Sequence, residues 1–256
     1  MSFFQALFLA FIQGITEFLP ISSSGHLVLF QKIFHLSRPP VFFDILLHLG
    51  TLGSILIFFR REIVFLLVNW QKEIKFWYLL LLGSIPVAIF GLLFNSHLKT
   101  FFNSLFLLSI AWILFGIGLL ASRRLNQEKS LRKEIGKIDA LAIGFFQALA
   151  LFPGVSRSGS TIIGGLVRGL PPEVAFKFSF FLAIPAILGA TVLELKEATL
   201  NEVHLVVNAL SVIVAGVTGY WALSFLQKTL KWEKFYLFGF YCLVIGTLAL
   251  FFSFRI

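Results

Sequence analysis

The chain has 256 residues and a formal net charge of +9; 58% of its residues are hydrophobic and 13% are charged. Soluble domains are about 45–50% apolar and about 25% charged, so this composition excludes an ordinary soluble fold. The basic residues stand between apolar runs, where they act as membrane-topology determinants. We therefore expect the bilayer as a partner and no nucleic acid.

Turn and charge signals divide the chain into ten helical segments. Six of them are long enough to cross about 30 Å of hydrocarbon. These are 41–59, 76–94, 103–122, 172–195, 203–227 and 235–254. The other four form two short pairs, 3–19 with 25–35 and 139–152 with 159–169. A helix over 25–35 would be about 16 Å long, which is too short to cross, so we predict that each pair turns back within the bilayer.

The two halves of the sequence resemble each other. Gln13–Gly25 aligns without gaps on Gln147–Gly159, with Gln, Phe, two Ser and Gly coinciding. Pro39-Pro40 and Pro171-Pro172 follow at nearly the same distance, each before a long helix. Two matches in register predict an internal repeat.

The predicted repeats are 1–121 and 139–256, joined by a basic cytoplasmic linker, 122–138. Each repeat contains one re-entrant pair, 3–35 or 139–169, and three spans. Three crossings invert the second repeat relative to the first, an arrangement known from many membrane proteins. The predicted fold is an all-α polytopic membrane protein of two inverted repeats with six full spans and ten helices.

The distribution of basic residues predicts the orientation. The richer side carries Arg60, Arg61, Lys72, Lys75, Arg123, Arg124, Lys129, Arg132, Lys133, Lys137, Lys228, Lys231 and Lys234. The poorer side carries Lys32, Arg38, Lys99, Lys196 and Arg255. The positive-inside rule places the richer side in the cytoplasm and both termini outside. The two re-entrant pairs then enter from opposite faces and meet near the midplane.

The first motif, Gln13–His26, interrupts an apolar segment with Pro20 and a serine run. It also places Glu17 and His26 at membrane depth. Inserting a charged residue at the centre of a membrane helix costs about 2.5–3.5 kcal/mol, so such a residue indicates a functional role. The structural alternatives are a buried ion pair for Glu17 and Arg157 and an interhelical hydrogen bond for His26.

The second motif, Pro153–Thr161, has the composition of an anion site. Pro153-Gly154 allows close backbone approach, and four hydroxyl residues follow at a predicted helix start: Ser156, Ser158, Ser160 and Thr161. A helix N-terminus favours an anion, and the planar fork of Arg157 suits phosphate oxygens. Because the chain has no Gly-x-x-x-x-Gly-Lys loop here, the motif is not a nucleotide P-loop.

Together the motifs resemble those of the undecaprenyl-diphosphate phosphatase family, also called bacitracin-resistance proteins. The matching patterns are Gln13-x-x-x-Glu-Phe-Leu-Pro-x-Ser-Ser-Ser-Gly-His26 and Pro153-Gly-Val-Ser-Arg-Ser-Gly-x-Thr161. The similarity covers essentially the whole chain. It implies hydrolysis of undecaprenyl diphosphate to undecaprenyl phosphate and inorganic phosphate, which recycles the carrier lipid for cell-wall synthesis and gives bacitracin resistance. It also implies the bacterial inner membrane, with the site open to the outer face.

This resemblance and the chemistry above give the expected site. The catalytic residues are Glu17, Ser23, His26 and Arg157. The phosphate-binding residues are Gln13, Ser22, Ser24, Ser156, Arg157, Ser158 and Thr161. The resemblance further implies a divalent cation, Mg²⁺ or Ca²⁺, and Glu17 is the candidate metal ligand. The implied partner is a polyprenyl diphosphate lipid, and a homodimer is left open.

Two points of the site stay open in the sequence. The family's first motif begins with Glu or Gln, and Gln13 cannot serve as a base or an anionic ligand, so Glu17 is the motif's sole carboxylate. Asp44 and His48 lie one turn apart on the next predicted helix. They either contribute to the site or cap and pack near a helix start.

Several mechanisms fit these residues. The attacking group is either water or Ser23, and His26 is either a base or an acid. Glu17 orients His26, binds the metal or is itself the base. The favoured version pairs His26 with Ser23 as the catalytic centre. The rival function is a lipid-phosphate transporter, because broken helices in inverted repeats are equally typical of transporters, and lipid flipping by an enzyme is a further alternative.

Overall fold

The computed structural model describes residues 1–36, 41–125, 134–195, 205–231 and 233–254. Within these ranges the regular structure is helical throughout. The α-helices in chain order are α1 (Phe3–Phe18), α2 (Ser23–Ile33), α3 (Val41–Phe58), α4 (Arg60–Val68), α5 (Ile74–Asn103), α6 (Leu105–Ala121), α7 (Lys137–Leu149), α8 (Arg157–Val167), α9 (Pro172–Glu194), α10 (Leu205–Lys231) and α11 (Phe238–Ser253).

The predicted fold class is confirmed. Six segments in the described ranges are long and apolar enough to cross a membrane: Val41–Phe58, Ile74–Phe94, Leu105–Arg124, Pro172–Glu194, Leu205–Lys231 and Phe235–Ser253. They coincide with the six predicted spans. The protein is an all-α polytopic membrane protein.

The described helices number eleven, whereas the sequence predicted ten. The additional helix is α4, which lies between the predicted spans 41–59 and 76–94. Only Leu66 of this helix is buried. The hydropathy pattern missed α4 because a nine-residue helix that buries one side chain has no clear apolar face. Helix α10 also extends beyond the predicted span 203–227, since it continues to Lys231, where basic side chains interact favourably with the helix dipole.

Helices α2 and α8 begin two residues earlier than predicted. Their N-caps are Ser22 and Ser156, whose hydroxyl oxygens accept hydrogen bonds from the backbone N–H groups of Gly25 and Gly159 at 3.3 Å. Serine is a favoured N-cap because it pairs a donor that the helix leaves free. The serines predicted as part of each break therefore lie mainly within the first helical turn.

In each short pair, a residue just after the second helix contacts the first helix of the same pair. In the second pair, Asp139 in the first turn of α7 accepts a hydrogen bond from Arg168 after the end of α8, at 2.9 Å. In the first pair, the ring of Phe8 lies 5.4 Å from that of Phe34, next to the end of α2. These contacts support the predicted re-entrant pairs.

Each hairpin packs against a long helix of the other predicted repeat. Helix α1 lies on α10 and α7 lies on α5. Both contacts use a glycine: Gly14 lies against α10, and Gly144 lies against the backbone of Gly83 in α5. Small residues let membrane helices approach closely, so that van der Waals packing can hold them together. The hairpin of each repeat thus packs on the other repeat. This symmetry agrees with two repeats, although their boundaries and inversion stay predictions.

Residues of the predicted cytoplasmic side gather at one end of the bundle. Lys75 donates to Glu134 at 2.7 Å, and this hydrogen bond holds the pKa of the exposed Glu134 carboxyl below its ordinary value. Lys231 pairs with Glu173 at 3.5 Å. The predicted features outside the described residues are Arg38, Pro39, Pro40, most of the linker with Lys129, Arg132 and Lys133, Lys196 and Arg255. Which face this end occupies remains a prediction.

The α5–α7 contact yields a stability prediction. A Cβ at position 144 would overlap the Gly83 carbonyl oxygen, whereas a Cβ at Gly53 in α3 would meet no atom within 4 Å. We expect Gly144→Ala to destabilise the protein by about 1–3 kcal/mol through overpacking. Gly53→Ala should be neutral or stabilising, since alanine is the better helix former. Thermal unfolding in detergent measures both effects, and equal melting temperatures for the two variants would contradict the close α5–α7 contact.

Candidate active site

A buried ion pair connects the two sequence motifs. Glu17 stands in the last turn of α1 and Arg157 is the first residue of α8. Oε1 of Glu17 accepts a hydrogen bond from Nη2 of Arg157 at 2.9 Å, and the side chains are only 8% and 16% exposed. The guanidinium also lies 5.8 Å from the centre of the Phe180 ring. The structure thus brings together the two charged residues that the sequence singled out.

The second oxygen of Glu17 binds the rest of the first motif. Ser23 donates its hydroxyl hydrogen to Oε2 of Glu17 at 2.6 Å. Gln13 donates from Nε2 to the same oxygen at 3.2 Å. Helical spacing explains the second contact, because residues four apart lie on one face of a helix. One carboxylate therefore organises a serine, an amide and a guanidinium.

Two polar atoms of this cluster have no partner among the described residues. They are Oε1 of Gln13 and Nη1 of Arg157, and both are buried. A buried polar group without a hydrogen bond costs about 1–3 kcal/mol. The free N–H of Arg157 suits an anionic oxygen, and the free carbonyl oxygen of Gln13 suits a cation or a proton donor. The cluster is therefore equipped to receive a ligand.

His26 lies in a different set of contacts. Its Nδ1 bonds the Ser22 carbonyl oxygen at 2.7 Å, and its Nε2 bonds the hydroxyl of Tyr241 at 2.7 Å. Ser23 instead bonds Glu17. The favoured pairing of His26 with Ser23 is therefore corrected: the imidazole turns back onto the carbonyl four residues earlier, which directs both nitrogens to other partners.

The hydroxyls of the second motif mainly tie the two motifs together. Ser156 and Ser158 donate to the carbonyl oxygen of Leu19 at 3.3 and 3.4 Å. In return, the N–H of Gly154 donates to the Ser22 hydroxyl oxygen at 3.1 Å. The φ of Gly154 is +95°, and a Cβ there would lie 2.7 Å from the Leu108 carbonyl oxygen, so glycine is required.

The remaining predicted binding residues also have protein partners. Thr161 bonds Ser179 of α9 at 2.5 Å. Ser22 and Ser24 lie 3.3 Å apart between their hydroxyl oxygens. The expected cradle of free hydroxyls is therefore mostly engaged within the protein. The binding capacity of the second motif rests on Arg157 and on the N-terminal N–H groups of α8.

Asp44 and His48 lie on α3, next to the central cluster. Nδ1 of His48 donates to the Asp44 backbone carbonyl at 2.8 Å. Oδ1 of Asp44 is buried with no partner among the described residues. Helix α3 packs against α1, which carries Glu17. Position therefore brings both residues close to the site, and their role in it stays a prediction.

A divalent cation has few protein ligands here. In the described part of the chain, no group of three or more His, Cys, Asp or Glu side chains could hold a metal ion. Magnesium is commonly held by one or two carboxylates together with substrate phosphates and water. Glu17 and the unpartnered Oε1 of Gln13 fit this arrangement only if a diphosphate supplies further oxygens.

Sequence reasoning missed the partners that tertiary contacts supply. Tyr241 and Ser179 lie in long apolar spans, where a single Tyr or Ser gives no recognisable signal. Trp112, which is fully buried, donates from its indole nitrogen to the Ile21 carbonyl at 2.8 Å and so holds the first break in place.

Comparison with known proteins shows to which family the chain belongs. The family model described as bacitracin resistance protein BacA matches residues 6–248. The chain is 39% identical over 254 residues to the undecaprenyl-diphosphatase of Moorella thermoacetica, with 97% of each chain covered. It is 43% identical over 256 residues to that of Carboxydothermus hydrogenoformans, covering 98% of this chain and 97% of the relative. The undecaprenyl-diphosphatase of Thermosipho africanus is 42% identical over 247 residues, with 95% and 97% covered.

These matches extend over nearly the whole of both chains and include both motifs of the site. The resemblance found in the motifs is therefore confirmed, and the protein belongs to the bacitracin resistance protein family.

Proposed function

We propose that the protein hydrolyses undecaprenyl diphosphate to undecaprenyl phosphate and inorganic phosphate. Its relatives carry the name undecaprenyl-diphosphatase. The observation that carries the proposal is the Glu17 carboxylate, which holds Ser23 on one oxygen and Arg157 on the other at the junction of the two motifs. A nucleophile and a phosphate-binding cation thus each lie within hydrogen-bonding distance of the same base.

Arg157 is the main binding group for the diphosphate. Its Nη1 has no partner among the described residues and can donate to a phosphate oxygen. Helices α2 and α8 begin at Ser23 and Arg157, beside the same carboxylate. The first N–H groups of a helix have no intrahelical acceptor, and the dipole makes this end favourable for anions. These donors stabilise the charge that develops on the transferred phosphoryl group.

Ser23 is the nucleophile in this proposal and Glu17 is its base. The Ser23 hydroxyl oxygen attacks the terminal phosphorus and its proton passes to Glu17, to which it is already hydrogen-bonded at 2.6 Å. The bond between this phosphorus and the bridging oxygen breaks, and undecaprenyl phosphate leaves. Water then hydrolyses the phosphoserine, which restores the hydroxyl, and the proton on Glu17 leaves with the released inorganic phosphate. When Arg157 turns to the diphosphate, Glu17 is released to accept the proton.

We further propose that a divalent cation acts with the substrate. Glu17, which contacts both Gln13 and Arg157, and Oε1 of Gln13, which has no partner among the described residues, would hold it. When bound, such a cation neutralises phosphate charge and polarises the phosphorus–oxygen bonds.

The proposed location is the bacterial inner membrane, with the site open to the outer face. The buried cluster lies between two hairpins of an otherwise apolar bundle, which suits a polar headgroup attached to a long hydrocarbon chain. Product recycling for cell-wall synthesis and bacitracin resistance follow from this activity.

Phosphate release in detergent tests the function. Purified protein incubated with undecaprenyl diphosphate should release one inorganic phosphate per lipid. A transporter requires two compartments and would release none under these conditions. Absence of release at saturating substrate and Mg²⁺ or Ca²⁺ would overturn the proposal in favour of lipid transport.

The planar fork of Arg157 gives the first prediction for turnover. Arg157→Ala should nearly abolish phosphate release, and Arg157→Lys should restore only part of it because lysine lacks bidentate geometry. Arg168 is the matched control, since it forms an ion pair of the same 2.9 Å length after the other end of α8. We expect Arg168→Lys to retain wild-type turnover. Equal turnover of the two lysine variants would contradict the assignment of Arg157.

The charge of Glu17 gives the second prediction. Glu17→Gln keeps the side-chain shape but removes the base and leaves Arg157 without its anion, so turnover should fall by about 100-fold or more, as expected for a general base. Gln13→Glu should retain most turnover, with a steeper dependence on divalent cation. Two carboxylates at this distance cannot both be ionised without a cation between them.

Initial rates with and without a chelator measure both effects. If Glu17→Gln is nearly as active as wild type, Glu17 is neither the base nor a metal ligand.

A further inference from the structure

The imidazole of His26 has a defined protonation pattern in its neutral form. A carbonyl oxygen can only accept a hydrogen bond, so Nδ1 must carry the hydrogen that bonds Ser22 at 2.7 Å. Nε2 of the neutral ring is then an acceptor. Its partner at 2.7 Å is Tyr241, whose hydroxyl must be the donor.

Aromatic contacts hold the same ring in place. The Tyr241 ring lies 5.7 Å from the imidazole at an interplanar angle of 15°, and Trp112 meets it edge-on at 5.1 Å. His26 and Trp112 are buried, whereas Tyr241 is 43% exposed on the surface of α11. Tyr241 therefore covers His26 from the outside of the bundle.

The hydrogen bond from His26 ends at a strained residue. Ser22 has a φ of 69°, a region that residues other than glycine adopt at a cost of about 1–3 kcal/mol. Its carbonyl accepts from His26, and the next residue is Ser23, whose hydroxyl bonds Glu17. The orientation of Ser22 thus fixes where the Ser23 hydroxyl points.

We propose that Tyr241 is a positioning residue of the active site. Its hydroxyl donates to Nε2 of His26 and so keeps the hydrogen on Nδ1, where it holds the Ser22 carbonyl and directs Ser23 towards Glu17. In the other tautomer, a lone pair of Nδ1 would face the carbonyl oxygen, and the contact would be repulsive. The proposal rests on the proposed role of Ser23 in hydrolysis.

The test variant is Tyr241→Phe, which keeps the stacked ring and removes the donor. The matched control is Tyr78→Phe, because Tyr78 is 47% exposed and contacts Lys137 through its ring. We expect kcat of Tyr241→Phe to fall about five- to tenfold, the size of one hydrogen bond, with KM within about twofold of wild type. Tyr78→Phe should match wild type in both parameters.

Nitrogen-15 spectra of the histidine ring test the hydrogen bond without relying on activity. Protein in micelles is compared with a His26→Gln variant to assign the His26 signals. We expect a protonated Nδ1 and a hydrogen-bonded Nε2 in wild type and in Tyr78→Phe, and a displaced Nε2 signal in Tyr241→Phe. If wild type carries the hydrogen on Nε2, or the Nε2 signal is unchanged in Tyr241→Phe, the proposal is overturned.

A double mutant separates positioning from general stability. If Tyr241 acts through His26, adding Tyr241→Phe to His26→Gln should lower kcat no further. Additive losses, or an unchanged kcat in Tyr241→Phe despite a displaced Nε2 signal, would overturn the positioning role. A wild-type protein that shows the expected spectra but releases no phosphate would instead disprove the proposed function.

Discussion

The ion pair between Glu17 and Arg157 is the contact on which the arrangement of the site depends. Each charge stands where a short helix ends or begins inside an apolar bundle, and neither could remain there alone, because an uncompensated buried charge is strongly destabilising. Their 2.9 Å contact requires the two hairpins to meet. The charge at the helix break in one half of the chain thus compensates the charge at the break in the other half.

The serines around this pair serve the same purpose. Backbone freed by a helix break must find partners within the protein, since the hydrocarbon offers none. Ser22 and Ser156 cap their own helices, and each also bonds the opposite break. These residue types suggested a phosphate cradle, yet their hydroxyls mostly stabilise the fold. In the proposed function, the substrate and its cation are bound by Arg157, Gln13 and the two helix ends.

Close helix packing brings the hairpins to this meeting point. Because α1 lies on α10 and α7 lies on α5, each hairpin packs against a long helix from the other half of the chain. Gly14 and Gly144 allow these helices to approach each other closely enough to pack in this way. The site is consequently composite: it forms only when both halves are assembled.

The sequence alone determined the membrane class, the six spans, the two short pairs and the identity of the charged residues, because these depend on composition, length and local pattern. It also indicated the family, since both motifs are long and specific. The choice of partners was decided by tertiary structure. Ser23 pairs with Glu17 instead of His26, and His26 bonds Tyr241, which is 215 positions away. Hydrogen-bond partners depend on the direction of each side chain after packing, and no local pattern encodes that direction.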